Sequence, residues 1–508
     1  MHQLLTLAVF LPIILGAVLL ATPRLPAAVV RLLAAIGFVF PAVAALVLWS
    51  QYTPQIPGGY AFESELPVRI TAIGVALKFG LNGLGLPLFA MAAIVGLAAG
   101  IRAVTSPPEG FEKYLGLLLF MLGGLLGLFA STNAIFFYFF HEFALIPTFI
   151  LMLRWGGHGR RGTAIFMAVY LTVGAMILLG GLIALYLQSN AASFDIADLR
   201  AAAVALDAGT QKTLFGVLLL GFGILVSLFP FHSWAPEGYN TAPSPVSMLH
   251  AGVLKKFGLF GLIQIGAYVL PEGLKAWENT LIWLALGNVV LLGIVTMTQR
   301  DLKLLVSWSS VAHMGACFLG IAAYASGAVT GLGGAVFLMF AHGLSVALLF
   351  SLSQNVYERL GSFEFKSAGG LAAKTPVLAA LFVAATMASL GLPGFANFWG
   401  ELTVFASLSY KFASCPWIVF AAISGVVISA IYGLRAAAAI FYGPQGDNVA
   451  SREIADIRPA ERTVAVLLLA ALLVTGFVPA LVTKPVNAAL AAFATRAPAA
   501  NTASVNAR

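Results

Sequence analysis

Four charged side chains lie where charge is expensive: Glu142, the adjacent Lys255 and Lys256, and Glu401 each fall mid-way along an apolar stretch. At the centre of a bilayer a charge costs at least ~2.5–3.5 kcal/mol on insertion scales, so such a residue usually marks an ion or proton path. The plainer alternatives are a residue snorkelling to the interface or a pair that only locks helices together. Lys255 and Lys256 are ~100° apart on a helix, so both cannot face one partner. Four histidines, His141, His250, His313 and His342, lie in similar surroundings. Imidazole relays protons near neutral pH, and it serves equally well as a hydrogen-bonding group between membrane helices. Each histidine is on a different apolar stretch with no paired spacing, which argues against haem or metal ligation.

These residues need a membrane around them, and composition supplies it. Of 508 residues, 60% are apolar and 9% are charged, against roughly 25% charged in soluble domains. A water-soluble enzyme is excluded. Cys317 and Cys415 are too few for a disulfide framework, a Cys-rich zinc site or an iron–sulfur centre. The net charge of +8 has no basic face to carry it, so nucleic acid is not expected. Fourteen apolar runs, numbered helices 1–14 in chain order, centre near residues 12, 39, 93, 122, 144, 175, 221, 257, 287, 314, 341, 386, 428 and 472. The fold class is an all-α polytopic membrane protein. The first run has no Lys or Arg before it and exceeds a signal-peptide core, so it reads as a retained helix.

Two helices should be broken. Helix 7 ends in Leu228-Phe-Pro-Phe-His232-Ser-Trp234-Ala-Pro236-Glu237, and helix 12 contains Gly391-Leu-Pro393-Gly394-Phe-Ala-Asn397-Phe-Trp-Gly400-Glu401. Proline removes a helical hydrogen bond, and in a membrane the freed backbone must be satisfied by protein or water. Breaks five helices apart predict two inverted five-helix repeats, helices 4–8 (residues 111–270) and 9–13 (271–442). Residues 1–110 then hold helices 1–3, 443–486 a charged loop and helix 14, and 487–508 an Ala-rich frayed tail. Among the linkers, Val68–Ile73 suits a small hairpin, 188–211 a short amphipathic element, and Phe363–Lys374 a charged connector. Sixteen of the 27 Lys and Arg residues fall at the ends or loops following odd-numbered helices and nine on the other side. The positive-inside rule therefore puts both termini outside.

The matching motifs are Phe139-Phe-His-Glu142-Phe-Ala-Leu-Ile-Pro147, Pro230-Phe-His232-Ser-Trp234-Ala-Pro236-Glu237, Ala242-Pro243-Ser-Pro-Val-Ser247, Ala251-Gly-Val-Leu-Lys-Lys256, Asp301-Leu-Lys303 through Val311-Ala-His313-Met-Gly315, His342-Gly343-Leu and Gly391-Leu-Pro393-Gly394. With them the chain resembles the antiporter-like subunits of respiratory complex I, the NADH–quinone oxidoreductase, over residues ~80–440. It most resembles the M type, because the helix 12 site is Glu401 rather than Lys and no long lateral C-terminal helix follows. The resemblance implies that Glu142 modulates a helix 7 lysine, Lys256 is the central relay, Glu401 the terminal site, and His313 and His342 polar-axis positions. It also implies proton translocation coupled to electron transfer. NADH, FMN, iron–sulfur clusters and quinone would sit in partner subunits, with no cofactor here. The partners would be other membrane-arm subunits, two sister antiporter-like chains especially, and the lipid bilayer. Ala- and Gly-rich usage suggests a bacterial source, so the expected location is the inner membrane, with the outside termini in the periplasm. The same motifs allow a subunit of a sodium/proton antiporter or membrane-bound hydrogenase, or a non-pumping structural subunit. One departure matters: Leu225 stands where the family has its helix 7 lysine, Tyr239 where a histidine is common, and Glu237 for the usual Asp. Lys255, with His250 among the buried groups near it in sequence, is left as a substitute that sequence alone neither supports nor removes.

Overall fold

The structure, a computed structural model, describes residues 1–22, 24–54, 59–411 and 414–494. Among them thirteen helices are long and apolar enough to cross a membrane. They are helix 1 (His2–Ala21), 2 (Ala27–Ser50), 3 (Gly85–Thr105), 4 (Phe111–Ala130), 5 (Ala134–Trp155), 6 (Arg160–Ser189), 7 (Ala208–Val226), 8 (Ser244–Ala267), 9 (Pro271–Thr298), 10 (Leu302–Ala325), 11 (Val329–Leu360), 13 (Pro416–Phe441) and 14 (Pro459–Phe477). Helix 12 is the fourteenth, in two halves too short to span alone: Pro376–Ser389 and Ala396–Ser407. The chain is a multi-pass membrane protein.

Burial sorts the helices into layers. Helices 8 and 11 are buried along the whole of their apolar windows, and helices 4 and 10 nearly so, whereas helices 1, 6 and 13 turn most of theirs outward. A helix apolar on all sides belongs in the centre of a bundle. Lys255, Lys256, His250, His313 and His342 on helices 8, 10 and 11 are therefore enclosed by protein.

The helix 7 break begins at Ser227, whose φ is +69°, and a second short helix, Trp234–Thr241, completes the crossing. Asn288 of helix 9 satisfies the opened backbone: its amide donates to the Ser227 and Val311 carbonyls, and its oxygen accepts from the Phe229 N–H at 2.7 Å. Trp234 Nε1 donates to the Ile224 carbonyl. In the helix 12 break Trp399 Nε1 donates to the Gly476 carbonyl of helix 14, and Asn397 donates to Ser345 of helix 11. Helix 8 winds partly as π-helix, over His250–Leu254 and Leu262–Ala267.

The loops depart from expectation in degree. The hairpin is larger than Val68–Ile73: strand β1 (Ala61–Ile70) pairs antiparallel with β2 (Val75–Leu81). The amphipathic element is a helix over Ile196–Ala203, and two 3-10 turns, Phe365–Ser367 and Leu371–Ala373, fill the charged connector. The first residues of the expected frayed tail, 487–494, are helical. Residues Ala480–Ala494 form a helix, with Val486, Leu490 and Phe493 buried and Phe493 packed on Tyr268 and Tyr324. Alanine is the best helix former, so an Ala-rich composition argued for order here; residues 495–508 lie outside the described part.

Candidate functional site

The two lysines of helix 8 diverge. Lys256 Nζ lies 2.8 Å from His342 Nδ1 on helix 11 and donates to the Ala251 carbonyl. Two glycines permit that approach. A Cβ on Gly252 would meet the Gly343 carbonyl at 2.9 Å, and one on Gly343 the Gly252 carbonyl at 2.8 Å, so the two backbones touch one turn from the pair. Lys255 turns to helix 10, donating to the Ser310 carbonyl and hydroxyl at 3.2 Å, with Nζ 4.8 Å from the Tyr239 ring centroid. Both lysines are buried, and among the described residues neither has a carboxylate partner.

From Lys256 a polar row continues. The His342 and His313 ring centroids are 5.7 Å apart. His313 Nδ1 lies 2.8 Å from the Ser309 carbonyl. A carbonyl can only accept, so that nitrogen carries the proton and Nε2 is the exchangeable position. Ser309 Oγ is 2.9 Å from Tyr432 Oη of helix 13. His313, Tyr432, Ser429 and Glu401 line one cavity of ≈ 30 Å³, room for about one water. Glu401 is 8% exposed, and its carboxylate rests against Gly391 in the helix 12 break. The row therefore crosses helices 8, 11, 10, 13 and 12.

Two expected members stand apart from it. Glu142 is not stranded in the interior: its side chain is 28% exposed, on the outward side of helix 5 with Phe139 and Ile146. Its partner is also local, since His141 Nδ1 lies 3.0 Å from its carboxylate. Position along a helix gives depth and says nothing of the face, which is why the expectation of a cross-bundle cation fails. His250 is buried between Trp234 and Tyr239, with Nδ1 unpartnered, away from the Lys256–His342 pair. Leu225 is buried and meets helix 6 at Gly174.

Other buried charges were placed at membrane edges by their sequence positions. Arg102 is 3% exposed and bonds Asn355 and Glu358; Glu358 pairs with Arg458, Arg458 with Glu461, and Glu461 with Arg359. This cluster ties helices 3, 11 and 14 together on the side away from the hairpin. Beside it a cavity of ≈ 480 Å³ is lined by Arg102, His158, Asp301, Lys303 and Glu358 among others. Lys303, also buried, donates to the Ala242 carbonyl at 2.6 Å. Asp301 caps helix 10 through the Leu304 N–H, and burial pushes its carboxyl above the ordinary value. On the hairpin side Lys78 donates to Asp195 at 2.6 Å, and that hydrogen bond holds its ammonium above the usual lysine range. Asn288 and Tyr432 carried no sequence signal, being uncharged, and Ser309 and Ser310 lie inside a matched motif in which only His313 stood out.

Residues 131–431 match the family model described as "NADH:quinone oxidoreductase/Mrp antiporter, TM". The chain belongs to this family. It is 33% identical over 431 residues, 83% of this chain and 80% of the relative, to "NAD(P)H-quinone oxidoreductase chain 4 1" of Synechococcus sp. (strain JA-2-3B'a(2-13)). It is likewise 33% identical over 418 residues to "NAD(P)H-quinone oxidoreductase chain 4" of Gloeobacter violaceus, covering 81% and 78%. Among solved structures it superposes on a chain of respiratory complex I from Thermus thermophilus with TM-score 0.86 and 31% identity, covering 97% of this chain and 99% of that one. A chain of the Mrp complex from Dietzia sp. gives TM-score 0.84 at 19% identity over 97% of both, a likeness of fold alone. The family match spans every member of the polar row except Tyr432, one residue beyond it.

Proposed function

We propose that the chain is a proton-translocating membrane-arm subunit of an NAD(P)H–quinone oxidoreductase, moving protons along the row from Lys256 through His342 and His313 to Glu401. The observation that carries this reading is the Lys256–His342 contact at 2.8 Å in a wholly buried layer, with no carboxylate among the described residues to neutralise the lysine. Adding or removing a nearby charge acts strongly on such a group, because charges attract and repel more strongly in a low-dielectric interior. Electron transfer in partner subunits, which would hold all redox cofactors, supplies that change of charge. The ≈ 480 Å³ cavity reaching Lys303 suits water entry from one side, and helix 10 continues inward through Ser307, Ser309 and Ser310 to His313. The half-exposed Glu142, set among apolar side chains at membrane depth, is costly against lipid and fits a contact with a sister membrane subunit. With the excess of Lys and Arg at the cavity side, that side is cytoplasmic and the termini are periplasmic, in a bacterial inner membrane.

The test is Lys256→Met and Glu401→Gln in the intact complex in sealed membrane vesicles, following NADH oxidation together with vesicle acidification. Protons moved per NADH should fall in both, with the complex assembled. Unchanged proton yield in both overturns the reading, and acidification driven by a sodium gradient without NADH would assign the chain to the antiporter branch.

A further inference from the structure

The polar row uses one lysine of helix 8 and leaves the other in a cluster of its own. Lys255 is 1% exposed and Tyr239, from the second half of helix 7, is fully buried. The ammonium lies 4.8 Å from the Tyr239 ring centroid and is held by Ser310 of helix 10. The His250 ring is 5.1 Å from that of Tyr239, edge to face, and 5.6 Å from Trp234. Among the described residues two atoms here have no hydrogen-bond partner, Tyr239 Oη and His250 Nδ1. Burying such groups unpaired is unfavourable. A cluster that only packed helices together would be built more cheaply from Phe and Leu. The pair sits beside a π-helical stretch, His250–Leu254, a feature frequent at functional sites.

We propose that Lys255, Tyr239 and His250 form a proton-loading station that feeds the Lys256–His342 pair, Lys255 being the group that takes up and gives off the proton. The inference rests on the proton-translocating reading above. An ammonium over an aromatic face is stabilised as a cation, while the absence of any carboxylate partner leaves it able to give its proton up. When Lys256 has passed its proton to His342 the like-charge repulsion is gone, so Lys255 takes up a proton and hands it to the neutral Lys256, and a protonated Lys256 then opposes reloading of Lys255. Occupancy of the two lysines then alternates. The titratable groups facing Lys255 are Tyr239 of helix 7, His250 and Lys256 of helix 8, His313 and Cys317 of helix 10, and His342 of helix 11. The unfilled Oη and Nδ1 would receive and deliver protons through a bridging water. At the corresponding depth of helix 7 itself, Leu225 offers nothing that titrates. The station thus has one member on helix 7 and its proton-binding group on helix 8.

The decisive substitution is Lys255→Arg, because a guanidinium keeps the positive charge, the aromatic contact and a hydrogen bond to Ser310 but does not deprotonate in proteins. Proton yield per NADH should fall in Lys255→Arg as far as in Lys255→Met, in assembled complexes that still oxidise NADH. Tyr239→Phe keeps the ring and removes only Oη; it should lower the proton yield and shift its pH profile, and it carries the test if Lys255→Arg does not assemble. Wild-type yield and pH profile in Tyr239→Phe and in whichever Lys255 variant assembles overturn the proposal. A loss in Lys256→Met alongside that result would leave the polar row standing without this station, whereas no loss in Lys256→Met would remove the row itself.

Discussion

Gly391 offers a way to move the Glu401 carboxylate without altering it. The residue has φ +70°, and a methyl group there would lie 2.3 Å from Glu401 Oε2 and 3.1 Å from its Cδ. Gly391→Ala therefore carries two costs. Placing an L-residue in the left-handed region costs about 1–2 kcal/mol, and turning the Glu401 side chain aside by ~30° costs about 0.5–1.5 kcal/mol more. Together they make roughly 1.5–3.5 kcal/mol against the native arrangement, small enough for a multi-helix subunit to assemble. Glu401 leaves the cavity it shares with His313 and Tyr432, so proton yield per NADH in sealed vesicles should drop while NADH oxidation persists. Gly394→Ala is the control. Its φ is +102°, but a Cβ there meets only Phe477, at an ordinary 3.6 Å. It should lower the melting temperature of the complex and leave proton yield alone. Equal loss of yield in the two variants would refute a specific role for the Gly391–Glu401 contact, as would an unchanged yield in Gly391→Ala.

The Arg102 cluster predicts stability. Arg102→Met removes the buried cation held by Asn355 and Glu358; breaking a buried pair costs about 3–5 kcal/mol, and because Glu358 keeps Arg458 the lower end is expected, read as reduced subunit retention in mild detergent. Lys78 predicts pH dependence. Its pKa is raised by the Asp195 hydrogen bond, so the pair stabilises fully below the ordinary lysine range of about 10.4 and is lost as pH rises through the raised value. Proteolysis of segment 190–207 should quicken above that pH in the wild type and be quick at all pH values in Lys78→Met. Glu142→Gln keeps a side chain that His141 can still contact while deleting the charge; assembly should survive and proton yield should fall, measured as above.

Much of the architecture was readable because a bilayer leaves little choice. All fourteen apolar runs are helices, and the two Pro- and Gly-containing interruptions are real breaks in helices 7 and 12. The hidden parts depend on rotation and on distance along the chain. Glu142 was expected mid-way along its apolar stretch with no side of the helix assigned, and its side chain is 28% exposed and paired with its neighbour His141. The Arg102–Glu358–Arg458–Glu461–Arg359 cluster joins residues up to hundreds of positions apart, each of which looked like an ordinary edge charge.

The lysine pair shows the same limit and what overcomes it. An ideal helix predicts that Lys255 and Lys256 diverge, yet cannot say which of them meets helix 11. Two facts select Lys256: the Gly252–Gly343 contact, which fixes where the backbones touch, and the π-helical turn before it, which alters the rotation. Lys255 is then left facing Ser310 and Tyr239. A second buried ammonium, with no carboxylate partner among the described residues, would be costly in this fold. A role in which the side chain takes up and gives off a proton during turnover removes that cost for part of the cycle.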